Sequence, residues 1–171
     1  MSKFNTSGPT LRTAETCAGT VQLAYTERGL YALELPGMQP DGGRPVGEDD
    51  PHWLQALARD LAAYFRGEKV CFTCPLDESG YPPFILKVLR ETAGIPYGQW
   101  TSYGELAAQV NSPRAARAVG QAMARNRTPV VIPCHRVLCS DGSLGGFGCG
   151  LPWKERLLNL EGIKWEVKQC K

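Results

Sequence analysis

From residue 20 to residue 35 the chain alternates. Val21, Leu23 and Tyr25 share one side, Glu27-Arg28-Gly29 interrupts them, and Leu30 and Ala32 resume the apolar positions. Period-two alternation broken by a Gly-containing turn predicts a β-hairpin. Residues 36–50 are rich in Gly, Pro and acid and predict a loop. The period then becomes helical: Leu54, Leu57, Ala58, Leu61 and Phe65 fall on one face. Asp50-Pro51 supplies a start with proline at the first helical position, and Gly67 supplies a stop. Val70-Cys-Phe-Thr-Cys74 predicts a short strand.

Asp77-Glu-Ser-Gly-Tyr-Pro-Pro83 is turn-rich and predicts a linker. Beyond it the pattern is mostly helical. Phe84, Ile85, Val88 and Leu89 give a helix over 83–93 an apolar side, and Pro96-Tyr97-Gly98 predicts a turn. Ser102 with Glu105 three residues on forms a capping box for a helix over 103–110. Asn111-Ser112-Pro113 breaks it, and Ser112 with Pro113 predicts a second helix from 113 to about 124. An apolar strand runs over 130–132 into Pro133. A last helix spans 152–160, with Gly162 just beyond. No internal repeat or low-complexity tract interrupts the series. The prediction is an α+β fold: a small sheet-plus-helix domain over residues 1–80, then a mostly helical domain over 81–171.

Two short helices joined by a few residues outline a helix-turn-helix. The second carries Arg114, Arg117 and Arg125 among Ala and Gly, so it can approach another surface closely. Close packing against a neighbouring helix would use the same small residues. Charge adds weight to the first option. Net charge is only +2, yet residues 1–80 carry 7 basic and 11 acidic side chains (−4), and residues 81–171 carry 12 and 6 (+6). A basic half suits a polyanion, although a solvated basic face would look the same.

The length of 171 residues allows one domain or two small ones, and 43% apolar with 21% charged residues is ordinary globular composition. No apolar run nears the roughly 18 residues of a membrane span. The opening residues show no apolar signal core, so the expectation is a cytoplasmic protein, nuclear in a eukaryotic host. The seven cysteines (17, 71, 74, 134, 139, 149 and 170) are odd in number and unevenly spaced, which predicts reduced thiols rather than a disulfide framework.

The densest chemistry is Val130-Val-Ile-Pro-Cys-His-Arg-Val137. A thiolate is the reactive form of cysteine, and an adjacent cation or imidazole favours it. Arg136 is always cationic, and His135 can accept a proton. In a regular strand Cys134 and His135 would point to opposite faces. They can cooperate only through an irregular backbone or a bridging water. A buried cysteine beside a structural histidine is the alternative.

The sequence resembles the O6-alkylguanine-DNA alkyltransferases, also called methylated-DNA–protein-cysteine methyltransferases. Ile132-Pro-Cys-His-Arg-Val137 carries the family's reactive-cysteine motif whole. The likeness extends over about residues 82–163. It includes Thr101-Ser-Tyr-Gly-Glu-Leu-Ala107, Pro113-Arg-Ala-Ala-Arg-Ala-Val-Gly120, Asn126, the Gly145-Gly-Phe147 loop, Lys154-Glu, Leu157-Leu158 and Glu161-Gly162.

The resemblance implies single-turnover repair in which Cys134 takes an alkyl group from O6-alkylguanine, and also from O4-alkylthymine, in double-stranded DNA. His135 relays the thiol proton through a water, and Glu161 orients and charges His135. Tyr103 crowds the DNA backbone and hydrogen-bonds the base. Asn126 fixes the turn between recognition helix and cysteine. Arg117 fills the stack left by the flipped nucleotide, with Arg114, Ala116 and Arg136 as further DNA contacts. The carbonyls of Val137 and Cys134 read the exocyclic amine, and Gly145, Gly146, Phe147 and Gly148 line the base pocket. The helix-turn-helix enters the minor groove. A monomer without cofactor is implied.

Two residues depart from the family's pattern. Phe147 stands where Tyr is frequent, and Gly148 stands where some members have Ser. Thr26 and Tyr31 occupy positions where some relatives hold zinc. A Cys17/His52/Cys71/Cys74 set is conceivable, but it lacks paired ligand spacing, and the expectation is no metal. Three other readings compete with the transferase. A non-enzymatic lesion binder would lack the acceptor cysteine, which is present. A cysteine hydrolase would turn over repeatedly and need an oxyanion hole. A transcription factor would need sequence-specific binding to undamaged sites, and the minor groove offers few distinguishing groups.

Overall fold

The computed structural model describes residues 8–38 and 42–166. The amino-terminal half is a four-stranded sheet covered by a helix. Strands β1 (Thr10–Thr16), β2 (Gly19–Thr26), β3 (Gly29–Glu34) and β4 (Arg44–Pro45) lie in the order β3-β2-β1-β4. The first three are antiparallel neighbours, and β4 runs parallel to β1. The expected hairpin is β2–β3, closed by the pair Thr26–Gly29. Gly29 has φ +135°, and a Cβ there would sit 2.4 Å from the Pro75 carbonyl oxygen, so both the turn and the neighbouring backbone require glycine.

Helix α1 (His52–Phe65) lays Leu54, Leu57, Leu61, Tyr64 and Phe65 into one core with Val21, Leu23, Leu30 and Leu33 of the sheet. Full burial of a leucine is worth about 1.5–3 kcal/mol, so this face fixes α1 firmly. Asp50, just before the helix, is buried and accepts hydrogen bonds from Arg12, Arg44, Tyr25 and the Gly47 N–H. Residues 70–74 do not form the expected strand. The pairing moves downstream: Leu30 N–H donates to the Pro75 carbonyl at 2.9 Å, and Asp77 N–H donates to Leu30 at 2.8 Å.

The second half is mostly helical: α2 (Pro83–Ala93), α3 (Tyr103–Gln109), α4 (Ala116–Ala124) and α5 (Leu151–Leu160). Two short parallel strands, β5 (Thr101–Ser102) and β6 (Val137–Leu138), tie the start of α3 to the segment after the cysteine. Ile85, Val88, Leu89, Leu106, Val119, Ala122 and Met123 form its core, which also takes in Ile132, Cys134 and Val137. The capping box at α3 is present in both directions: Glu105 N–H donates to Ser102 Oγ at 3.1 Å, and Ser102 N–H donates to Glu105 Oε2 at 2.9 Å.

Helix α4 starts later than expected. Asn111 ends α3 in the left-handed region (φ 58°). Residues 112–115 then close a turn, with Ala115 N–H donating to the Ser112 carbonyl at 2.8 Å. Ser112 therefore caps nothing, Arg114 lies in the turn, and Arg117 lies in the first turn of α4. The expected strand at 130–132 is also absent. Val130 has φ 73°, a costly conformation for a β-branched residue. Ile132 N–H reaches back to the Thr128 carbonyl, and Cys134–Arg136 form a 3-10 turn.

The two halves are pinned around this segment. Val130 and Leu157 enter the sheet-and-helix core of the first half. The Arg127 guanidinium lies 4.2 Å from the Tyr31 ring and 4.1 Å from the Tyr81 ring, contacts worth about 0.5–2 kcal/mol each. It also donates to the Ser79 and Asp77 carbonyls, fixing the linker to the loop that leads into Cys134.

Candidate active site

Cys134 opens the 3-10 turn and is buried. Asn126, two residues beyond α4, holds it from the side. Its Nδ2 donates to the Ile132 carbonyl at 2.9 Å and to Cys134 Sγ at 3.1 Å, and its Oδ1 accepts from Thr128 N–H at 3.0 Å. One amide thus fixes the loop and solvates the sulfur. Burial raises the Cys134 thiol above its ordinary range, opposed by the Asn126 hydrogen bond and the Lys154 charge. The resting group is a thiol that must lose its proton to react.

The 3-10 turn resolves the strand objection, because successive residues are no longer on opposite faces. His135 is fully buried, and its Nε2 lies 2.6 Å from Glu161 Oε1, at the end of α5. A carboxylate partner assigns the proton to Nε2, which leaves Nδ1 as the acceptor. Nδ1 has no hydrogen-bond partner among the described residues. Burial holds the imidazole below its usual pKa although Glu161 opposes this, so His135 is a neutral base at neutral pH.

Glu161 is the hub. Its Oε1 also accepts from Tyr64 Oη at 2.6 Å and Arg136 Nη2 at 3.0 Å, and its Oε2 accepts from Arg136 Nε at 2.8 Å and Gly98 N–H at 3.1 Å. Burial works against its charge, but these donors outweigh it and bring the carboxyl down to about 2. Arg136 is thereby placed differently from the expectation. Its side chain is buried, paired with Glu161 and donating to the Ile95 carbonyl at 2.6 Å. It belongs to the interior and not to a DNA-facing surface, and it does not activate the thiol. Asn126 and Lys154 take that part.

A cavity of about 660 Å³ opens over the sulfur. Cys134, Tyr103, Ala116, Arg117, Gly146, Phe147 and Gly148 all line it, bringing together seven of the expected residues. Tyr103 is the first residue of α3; burial lifts its hydroxyl to about 12, the nearby thiols adding to the effect, so it is a proton donor at neutral pH. Gly145 stands behind it with φ +66°, where a Cβ would meet the Tyr103 ring at 2.9 Å. Arg114 and Arg117 are exposed. Val137 is buried, and its carbonyl accepts from Lys154 Nζ at 2.7 Å.

Two polar residues of the site had no role assigned from sequence. Lys154, fully buried on α5, donates to the carbonyls of Val137, Leu144 and Gly146, at 2.7, 2.5 and 3.2 Å. It ties the glycine loop to the cysteine segment, and burial lowers its pKa to about 8 against the pull of the Cys134 and Cys139 thiols. Its position in Lys154-Glu was the only sequence signal. Tyr64 carried none beyond a helical apolar face. The Cys17/His52/Cys71/Cys74 set is not brought together, since no metal-holding group of three such side chains occurs among the described residues. Cys17 Sγ instead donates to the Phe65 carbonyl at 3.1 Å, and Cys170 lies outside the described residues.

The cluster makes acid stability predictable. His135 has a folded pKa below its unfolded value, so native stability falls as pH drops below about 6.5. Glu161 is depressed from 4.5 to about 2, so its contribution is full above 4.5 and lost between 4.5 and 2. Both losses have the same sign. The Glu161 part is on the order of 3 kcal/mol. Thermal unfolding from pH 7 to pH 2.5 will show a melting temperature falling in two stages. A melting temperature constant down to pH 3 contradicts this.

Comparison with known proteins agrees with the geometry. The model of the 6-O-methylguanine DNA methyltransferase DNA-binding domain matches residues 83–163, and that of the family's ribonuclease-like domain matches residues 11–78. The constitutive methylated-DNA–protein-cysteine methyltransferase of Bacillus subtilis is 44% identical over 91% of this chain and 97% of its own. The enzyme of that name from Methanopyrus kandleri is 45% identical over 78% and 95%. The crystal structure of Mycobacterium tuberculosis OGT in complex with DNA superposes with a TM-score of 0.75 at 36% identity, covering 88% of this chain and 91% of that one. With both halves matched in order and a cavity built over a buried cysteine, the chain belongs to the 6-O-methylguanine DNA methyltransferase family.

Proposed function

We propose that the chain repairs DNA by moving an alkyl group from the O6 position of guanine onto its own Cys134. It is a methylated-DNA–protein-cysteine methyltransferase, it binds DNA, and it works once. The observation that carries the assignment is a buried thiol on the floor of an apolar cavity, backed by a neutral histidine and a saturated carboxylate. Residues 81–171 form the DNA-binding and transfer domain, and residues 1–80 brace it. O4-alkylthymine is a second substrate of the same chemistry.

The target alkyl group is buried in the base stack, so the nucleotide must be extruded into the cavity, at a cost of a few kcal/mol. Arg117 fills the gap from α4, which approaches through the minor groove on its small residues, with Arg114 and Ala116 beside the backbone. Cys134 Sγ attacks the alkyl carbon as its proton passes through a water to His135 Nδ1. The sulfur–carbon bond forms, the carbon–O6 bond breaks, and the electron pair stays with the purine. Tyr103 donates a hydrogen bond to the purine as the carbon–O6 bond breaks, and the purine takes up one proton, balancing the one given to His135, and stays in the strand as guanine. The Val137 and Cys134 carbonyls read its exocyclic amine. Gly145 and Gly146 shape the pocket, Phe147 supplies an apolar wall, and Gly148 has only its backbone N–H to offer. The thioether has no hydrolytic exit, so one protein is consumed per lesion. The protein acts as a monomer.

Stoichiometry separates this from a hydrolase. With excess duplex carrying radiolabelled O6-methylguanine, label on the protein will plateau at one methyl per chain. Continued turnover, or label released as methanol, would overturn the reading.

A further inference from the structure

Among the described residues, one side chain of the amino-terminal half hydrogen-bonds to the Glu161–His135 pair. Tyr64 lies in the last turn of α1 and is completely buried. Its hydroxyl donates to Glu161 Oε1 at 2.6 Å, the oxygen that also takes His135 Nε2 at 2.6 Å, and it lies 3.4 Å from that same Nε2. The ring is held by Phe65, Phe72 and Tyr97 at centroid distances of 5.4, 5.7 and 6.1 Å. The hydroxyl is therefore fixed, and it competes with the imidazole for one carboxylate oxygen.

We infer that Tyr64 is a positioning residue for alkyl transfer: by sharing Glu161 Oε1 with His135, it limits how far the carboxylate stabilises the imidazolium and keeps His135 unprotonated and ready to accept the thiol proton. A general base must be unprotonated at working pH. A carboxylate facing only the imidazole would raise its basicity. Glu161 instead spreads its charge over Arg136, Gly98 and Tyr64, so the imidazole gains orientation without being charged in advance. The other groups facing the pair are Tyr97 from the 96–98 turn, whose ring lies 5.8 Å from the Arg136 guanidinium, Lys154 from α5, and Cys134 itself. Of the residues on α1, only Tyr64 donates to this carboxylate among the described contacts. This gives residues 1–80 a part in the chemistry, and it rests on the transfer reaction proposed above.

The test is the pH profile of the second-order rate constant for methyl transfer from an O6-methylguanine duplex. Tyr64→Phe keeps the ring and removes only the hydroxyl. The acid limb should move up by about 0.5–1 pH unit, so the variant loses activity first on the acid side. Site-specific incorporation of a fluorinated tyrosine at position 64 keeps the ring and strengthens the donor, and should move the limb down. Phe72→Leu disturbs the same aromatic packing without touching Glu161 and should leave the limb in place. An unmoved limb in both Tyr64 variants, shifts of the same sign in both, or an equal shift in Phe72→Leu would overturn the inference. Should Tyr64→Phe fail to fold, the fluorinated protein alone decides by its direction. Failure of the wild-type protein to take up methyl at all would instead refute the transfer reaction.

Discussion

Cys134→Ser will bind alkylated duplex with an affinity within about threefold of wild type, while its transfer rate falls by at least roughly 10⁴-fold, the scale for removing an enzyme's nucleophile. The substitution is nearly isosteric, so the cavity, Asn126 and the His135–Glu161 pair persist. An alcohol is barely ionised even where a thiol can lose its proton to a neighbouring base. Cys149 is a poor substitute, since burial lifts its thiol to about 11, and among the described residues Cys134 is the cysteine that lines the cavity. A single-turnover assay with labelled duplex, run beside a fluorescence-anisotropy titration, measures both quantities. Residual transfer within tenfold of wild type would remove Cys134 from the nucleophile's role.

Arg117→Ala should slow repair of duplex DNA by about 100-fold while changing reaction with free O6-benzylguanine by less than about threefold. Arg117 is exposed at the start of α4 and lines the mouth of the cavity. Its proposed work is to hold open the gap left by the flipped nucleotide. That penalty, a few kcal/mol, exists only in the duplex, and about 1.4 kcal/mol corresponds to tenfold in rate. Tyr103→Phe provides the contrast. The ring still supports the Gly145 loop, but the hydroxyl that aids departure of the base is gone, so both substrates should slow together. Paired rate constants for each variant decide the matter. Equal slowing of both substrates by Arg117→Ala would place that side chain in the fold or in thiol activation instead.

Local pattern revealed what local physics decides. The β2–β3 hairpin, the apolar face of α1, the capping box of α3 and the last helix all followed from spacing and end signals within a few residues. Strand β1 did not, because Thr10–Thr16 buries little more than Thr13 and Ala14, and Leu11 is exposed. Its order comes from pairing with β2, which is not local information. The stretch before Cys134 is apolar enough for a strand, yet Val130 is forced to positive φ by the turn that Asn126 and Thr128 close. Residues 70–74 form no ladder, and the backbone of Leu30 pairs at 75–77 instead.

The site divides along the same line. Cys134 and His135 stood out in the motif itself, and Glu161, Tyr103, Arg117 and Phe147 only through the resemblance around it. Arg136 was misplaced because its neighbours in sequence say nothing about Glu161, 25 residues away. Tyr64 was missed altogether: its partner is 97 residues distant, and in an apolar helical stripe a tyrosine looks like any other core residue.

The most direct measurement is the mass of the protein, intact and as peptides, before and after incubation with an O6-methylguanine duplex. The account predicts a gain of one methylene per chain, located on the peptide containing Cys134, with unmodified guanine restored in the DNA. An unchanged mass while the lesion disappears, or a methylene on any other cysteine, would contradict it.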